Sequence, residues 1–194
     1  MKRSWMVVGI ILLVLVLVAG SLVSTYNSLV ALSEATDNAW AQVQVQLQRR
    51  YDLIPNLEAT VKGFAGQEKA IMDRIADARA SWQGWSDAQA SGSPDQQVAA
   101  ANRAEGSLSR LLVIVENYPN LRSSEQFTGL RDELAGTENL VAVARDRYND
   151  QVRVYNQTVK SFPTVIVARI FGYNERTYFQ VTSPDVNQAP KVSF

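Results

Sequence analysis

A few polar positions in this chain have the residue types and surroundings for chemistry: the adjacent cations Arg49 and Arg50, the carboxylates Glu105 and Glu138, and Asn149. Each lies among apolar residues that recur with helical period. Desolvation would raise the pKa of a carboxylate in such a place and make it a candidate acid catalyst, whereas a neighbouring guanidinium would hold it ionised. The room for other chemistry is narrow. There is no His and no Cys, which removes the commonest general base, the usual partner of a Ser nucleophile, thiol reactions, disulfides and the commonest transition-metal ligands. No Gly-x-Ser-x-Gly, phosphate loop, calcium loop or zinc spacing occurs. We assign no catalytic residue, no cofactor site and no metal ligand, and expect no enzymatic activity. The 19 basic and 19 acidic side chains balance, so no nucleic-acid surface is implied.

The element that must carry Arg49 and Arg50 begins in a membrane. Met6 to Val23 is a nearly unbroken apolar run behind Lys2 and Arg3. From Trp5 to Tyr26 a helix rises roughly 31 Å, close to the ~30 Å of a bilayer core. Trp5, Met6, Val23 and Tyr26 mark the ends of the anchor, and the basic start predicts an N-terminus inside and the bulk of the chain outside. A cleaved signal peptide is the competing reading, but Leu17-Val18-Ala19-Gly20-Ser21 offers no Ala-x-Ala site. A lipoprotein signal is excluded, since Ser21 stands where the lipidated Cys would be.

About 170 residues then remain for one domain with a continuous core. Ala39 or Trp40, Val43, Leu47, Tyr51, Ile54, Leu57, Val61 and Phe64 form one stripe with no Gly or Pro between Gly20 and Pro55, so the membrane helix is expected to run on into the domain and to kink at Pro55 without ending there. Gly63 and Gly66 mark the expected break. A second helix spans about Gln67 to Trp85, with Ile71, Ile75, Ala78 and Trp82 inward. A third starts at the cap Ser93 and Pro94 and places Val98, Ala101, Leu108, Leu112 and Val115 inward. Ser123 or Ser124 caps a long fourth helix whose stripe runs from Phe127 through Leu130, Leu134, Thr137, Val141, Ala144, Tyr148 and Tyr155 to Phe162. The expected fold is all-α: an N-terminal transmembrane helix (1–25), an up-and-down four-helix bundle (26–162) and a short irregular membrane-proximal tail (163–194).

Several of these segments together resemble the LemA family. They are Gln46-Leu47-Gln48-Arg49-Arg50, Asp52-Leu53-Ile54-Pro55-Asn56-Leu57, Val61-Lys62-Gly63-Phe64-Ala65 and Glu116-Asn117-Tyr118-Pro119-Asn120-Leu121. Gly136-Thr137-Glu138-Asn139, Val141-Ala142-Val143-Ala144-Arg145, Arg147-Tyr148-Asn149, Tyr155-Asn156 and Ser161-Phe162-Pro163 extend the match over almost the whole chain. The resemblance implies a bacterial protein with one N-terminal span and a four-helix bundle, and it carries over no reaction. It also implies relatives in magnetosome membrane formation and a genomic neighbourhood that includes a membrane metallopeptidase, both pointing to envelope or membrane maintenance.

Antiparallel pairing of the first and fourth helices brings together positions whose numbers add up to about 189, at a rise of ~1.5 Å per residue. Arg49 and Arg50 then lie level with Asn139, and Glu138 is the nearest carboxylate. A structural polar layer of Arg49 or Arg50 with Glu138, and a second of Asn149 near Trp40, is expected to fix register. The basic pair stands roughly 35 Å of helix beyond Tyr26, too far to touch its own bilayer. At the other end, Phe162, Ile166, Arg169, Ile170 and Phe171 admit two readings: an interfacial segment, or a bundle cap by Phe162, Ile166 and Ile170 with Thr177 to Val181 packed as an extended tail. The expected protein is a membrane-anchored scaffold of the bacterial inner membrane, its bulk extracytoplasmic, a homo-oligomer or a holder of an envelope partner. The alternatives are a ligand-binding or sensing bundle that signals through a membrane partner, and a carboxylate-dependent envelope enzyme.

Overall fold

Helices make up nearly all of the chain in a computed structural model that describes residues 2–65, 69–115, 117–119 and 123–180. They are α1 (Lys2–Tyr51), α2 (Ile54–Ala65), α3 (Lys69–Ser91), α4 (Pro94–Val115), α5 (Glu125–Lys160) and α6 (Thr164–Phe171). The described residues contain no strand. The fold is all-α and starts with a 50-residue helix whose first part is long and apolar enough to cross a membrane.

That first helix does not kink at Pro55; it ends before it. The Asp52 N–H still bonds the Gln48 carbonyl at 3.0 Å, but the Leu53 N–H reaches only Arg50, three residues back, at 3.2 Å. Pro55 has no N–H to offer Tyr51, and its ring would crowd that carbonyl, so it takes a place in the first turn of α2, where no intrahelical donor is needed. Helical bonding resumes from Leu57 N–H to Leu53 at 3.0 Å. Gly63 sits inside α2, while Gly66 and the expected helix start at Gln67 lie outside the described residues.

The turn from α3 to α4 is set by local chemistry. The second helix runs past Trp85 to Ser91, and a Cβ at Gly92 would stand 2.6 Å from the Ala88 carbonyl oxygen, so only glycine fits. Ser93 Oγ accepts from the Gln96 N–H at 3.4 Å and Gln96 Oε1 accepts from the Ser93 N–H at 2.8 Å. This reciprocal cap has Pro94 as the first helical residue. At the start of α5, Ser124 is the cap, accepting from the Phe127 N–H at 3.2 Å.

Two compact units divide the chain: Met1–Ala39 with Asp150–Arg176, and Trp40–Asn149 with Thr177–Phe194. In the first, Leu29 of α1 and Tyr155 and Val159 of α5 form a core with Val167 and Ala168 of α6. The expected stripe of the fourth helix therefore ends at Val159, because Phe162 is exposed. The tail is also not wholly irregular, since α6 follows Pro163 and closes on Gly172 at φ 77°, with the Tyr173 N–H on the Ala168 carbonyl at 2.9 Å. This left-handed stop suits glycine.

In the second unit Trp40, Val43, Leu47, Leu57, Val61, Ile71, Ile75, Trp82 and Trp85 are buried with Val98, Leu108, Phe127, Leu134, Val141 and Tyr148. On α4 the expected Leu112 is half-buried and its neighbour Leu111 is buried instead. The Ser81 and Ser107 hydroxyls meet at 2.8 Å, fixing α3 against α4 as an antiparallel hairpin.

Candidate functional site

The last turn of α1 delivers Arg50 into the second unit's core, where only 3% of its side chain is exposed, while Arg49 faces solvent. Two carboxylates approach its guanidinium. Glu105 Oε2, from α4, lies 3.3 Å from Nη1, and Glu138 Oε2, from α5, lies 3.6 Å from Nη2. The former is the inner partner, with 19% of its side chain exposed against 66% for Glu138. Burial pushes the Glu105 carboxyl above its ordinary value; Arg50 pulls it down, Glu138 pushes it further up and Arg145 opposes. Removal from water costs a charged group most where its remaining lone pairs find no donor.

The centre is incompletely paired. Among the described residues Arg50 Nε and Nη1, Glu105 Oε1 and Gln46 Oε1 are buried without a hydrogen bond, and so are the indole N–H groups of Trp82 and Trp85. These two rings pack edge to face at 5.4 Å, with Tyr51 5.6 Å from Trp82. Among the described residues no three carboxylates converge to hold a metal ion. What the arrangement supplies is a charged layer between helices.

Asn149 takes its partner from the tail. Its Nδ2 donates to the Phe179 carbonyl and its Oδ1 accepts from the Phe179 N–H, both at 2.9 Å. The Phe179 ring lies 6.0 Å from Trp40, whose ring also packs, tilted by 52°, against Tyr148 at 5.2 Å. The Trp40 indole donates to Gln97 Oε1 at 2.8 Å, the Tyr148 hydroxyl donates to the Thr177 carbonyl, and the Thr177 N–H donates to Asp95. In the first unit Asn156 repeats the device on Arg176: Nδ2 donates to the carbonyl at 2.9 Å and Oδ1 accepts from the N–H at 2.8 Å. The Arg176 guanidinium pairs with Asp37 at 3.1 Å and donates to Ser33 at 3.2 Å, over the ring of Tyr155. Nothing in the sequence assigns these partners to Asn156, Arg176 and Gln97, although Tyr155-Asn156 is one of the segments that resemble the LemA family. The only signal for the first is its spacing of seven residues from Asn149, on the same helical face.

The expected anchor residues Trp5, Met6 and Val23 are exposed, as is every large apolar side chain between them, and Tyr26 is partly so. Phe171 lies against Tyr26 with ring centroids 4.7 Å apart. The proposed bundle caps Ile166 and Ile170 are exposed along with Phe162, and Val167 and Ala168 fill the core instead. The reason is rotational: after Pro163, α6 presents residues 167 and 168 inward, and the residues one position before and two after point away.

A cavity of about 340 Å³ lies in the second unit beside the α1–α2 break, lined by Tyr51, Ile54, Pro55, Glu58, Ala59, Lys62 and Arg79. Lys62 donates to Glu58 and holds its carboxyl below the ordinary value, with Arg79 at 3.3 Å on the other oxygen.

The LemA family profile matches residues 39–194. Magnetosome protein MamQ 2 and magnetosome protein MamQ 1 of Paramagnetospirillum magneticum are each 27% identical over 180 residues, covering 82% of this chain and 66% of theirs. Magnetosome protein MamQ of Magnetospirillum gryphiswaldense is 25% identical over 194 residues, 90% of this chain and 71% of its own. The chain thus spans just under two thirds of the length of the first two.

Proposed function

The chain belongs to the LemA family, and from that premise we propose that it is a non-enzymatic scaffold of the bacterial cell envelope. The apolar start of α1 anchors it in the inner membrane with Lys2 and Arg3 inside, and the bulk of the chain stands outside and holds a second copy or an envelope protein. The observation that carries this reading is the run Trp5–Val23, whose large apolar side chains are 48 to 80% exposed. On an isolated soluble chain that run would be a large aggregation surface; in a bilayer it is solvated. The same helix then supplies Trp40, Val43 and Leu47 to a packed core. Relatives named as magnetosome proteins support work on a cellular structure in preference to a metabolite. The polar layer of Arg50, Glu105 and Glu138 fixes helix register in this scheme, with Asn149 pinning the tail. A membrane metallopeptidase is one partner of the right location.

Photo-crosslinking in intact cells tests the reading, with the crosslinker at the exposed apolar positions Val45, Val113 and Val143. Discrete adducts to a second copy or to a membrane protein are expected. A chain that extracts with alkaline carbonate and forms no adduct at any position overturns it. A second reading, ligand binding by the bundle, is supported by the cavity beside Tyr51; it predicts that Ala59→Trp abolishes signalling through a membrane partner and leaves the adducts intact.

A further inference from the structure

Helix α6 is apolar on two opposite sides. Its inner side, Val167 and Ala168, packs on Leu29, Tyr155 and Val159. Its outer side carries Ile166 at 50% and Ile170 at 70% exposure, with Phe162 at 82% just before the helix, while Phe171, four residues after Val167, is 58% exposed at the helix end. An apolar face left exposed opposite a buried one calls for a cover, from protein or from lipid. The sole charged residue within it is Arg169, exposed and without an ion pair among the described residues.

The position of this patch identifies its cover. Phe171 and Tyr173 place their rings 4.7 and 6.2 Å from that of Tyr26. Tyr26 stands one turn beyond Val23, the last exposed aliphatic of the run on α1. The C-terminal end of α6 therefore sits beside Tyr26, at the level where the proposed span leaves hydrocarbon. Aromatic and basic side chains are favoured at that level, and an Arg beside an apolar face can lay its stem on the acyl boundary with its guanidinium among phosphates.

We propose that α6 is an interfacial helix, lying in the headgroup layer of the bilayer that α1 spans, with Ile166, Ile170 and Phe162 in the acyl boundary and Arg169 at the phosphates. This rests on the reading of α1 as a membrane span. Gly172 turns the chain back at the end of α6, so Tyr173 returns to the Leu29 core and the helix is clasped to the base of α1. The clasp sets how deep the protein sits.

The natural chain has no Cys, so single-Cys variants of the full-length protein carry one spin label each. In phosphatidylcholine/phosphatidylglycerol vesicles, Val14→Cys reports the span and Arg153→Cys on α5 gives the aqueous reference. Labels at Ile166→Cys and Ile170→Cys are expected to collide with oxygen, which concentrates in lipid, and to be shielded from a water-soluble nickel chelate. If the Val14 label is in lipid but the α6 labels meet the chelate, or meet neither reagent, the interfacial assignment is wrong and the span stands. If the Val14 label itself meets the chelate, both fall.

Discussion

Two polar devices hold this helical protein together, and they differ in how completely they are paired. The clamps made by Asn149 on Phe179 and Asn156 on Arg176 each use one amide donor and one amide acceptor on one main-chain acceptor and donor. The centre around Arg50 gathers a guanidinium and two carboxylates and still leaves Nε, Nη1 and Glu105 Oε1 without hydrogen bonds. A satisfied neutral pair contributes modestly and reliably, on the order of 1 kcal/mol per bond; a buried charge is nearly neutral when paired and very costly when its partner is removed. The clamps therefore act as staples. In the proposed scheme the Arg50 centre constrains which helices pack together.

The sharpest way to break that contrast is Arg50→Met. Alone it leaves Glu105 buried without its cation and is expected to lower stability by about 3–5 kcal/mol, whereas Arg50→Met with Glu105→Leu recovers most of the loss. Thermal unfolding followed by circular dichroism in detergent measures both, and a double variant as weak as the single would refute the pairing. Next in size is Asn156→Ala, expected to cost roughly 2–3 kcal/mol because two hydrogen bonds go and main-chain groups of Arg176 are left behind. Hydrogen exchange should then speed up at the Arg176 amide; unchanged protection there would mean that Asn156 is not its partner.

A smaller effect separates the devices by pH. Burial raises the Glu105 pKa above its unfolded value near 4.5, so the folded state binds the proton more tightly. The stability this contributes is fully present below that value and is lost as pH rises through the folded pKa. Melting temperature should fall more over that range in the natural protein than in Glu105→Gln, and parallel profiles would remove Glu105 from the account. The smallest effect belongs to Glu138→Gln, expected to change stability by less than about 1 kcal/mol, because a mostly exposed carboxylate at 3.6 Å is screened by solvent. A loss as large as that of Arg50→Met would reverse the roles of the two carboxylates.

The residues that could be read in advance are those whose signal is local or periodic. Ser93-Pro94 before α4 and Ser124 before α5 announce helix starts, and the stripe from Val43 to Val61 is buried because its period is that of the helix. The offset between α1 and α5 places Arg50 opposite Glu138, but the height of α4 beside them depends on the turn at Gly92 and on packing, so the nearer carboxylate, Glu105, does not follow from spacing. Pro55 suits either a kink or a first turn, and the choice falls to Leu53, whose N–H turns to Arg50. The tail clamps leave no pattern because an Asn side chain there recognises backbone, which every sequence has. Helix α6 escaped for a different reason: it is only eight residues long, and its apolar side chains include exposed Ile166 and Ile170 as well as buried Val167 and Ala168, so the pattern does not mark which face packs inward.

Trp82 and Trp85 lie wholly inside the second unit with no acceptor among the described residues for either indole N–H, whereas Trp40 donates to Gln97. Indoles held that way should fluoresce at short wavelength, and the first water to enter would redden them by bonding those hydrogens. The protein thus carries its own optical gauge of wetting, readable before any helix melts.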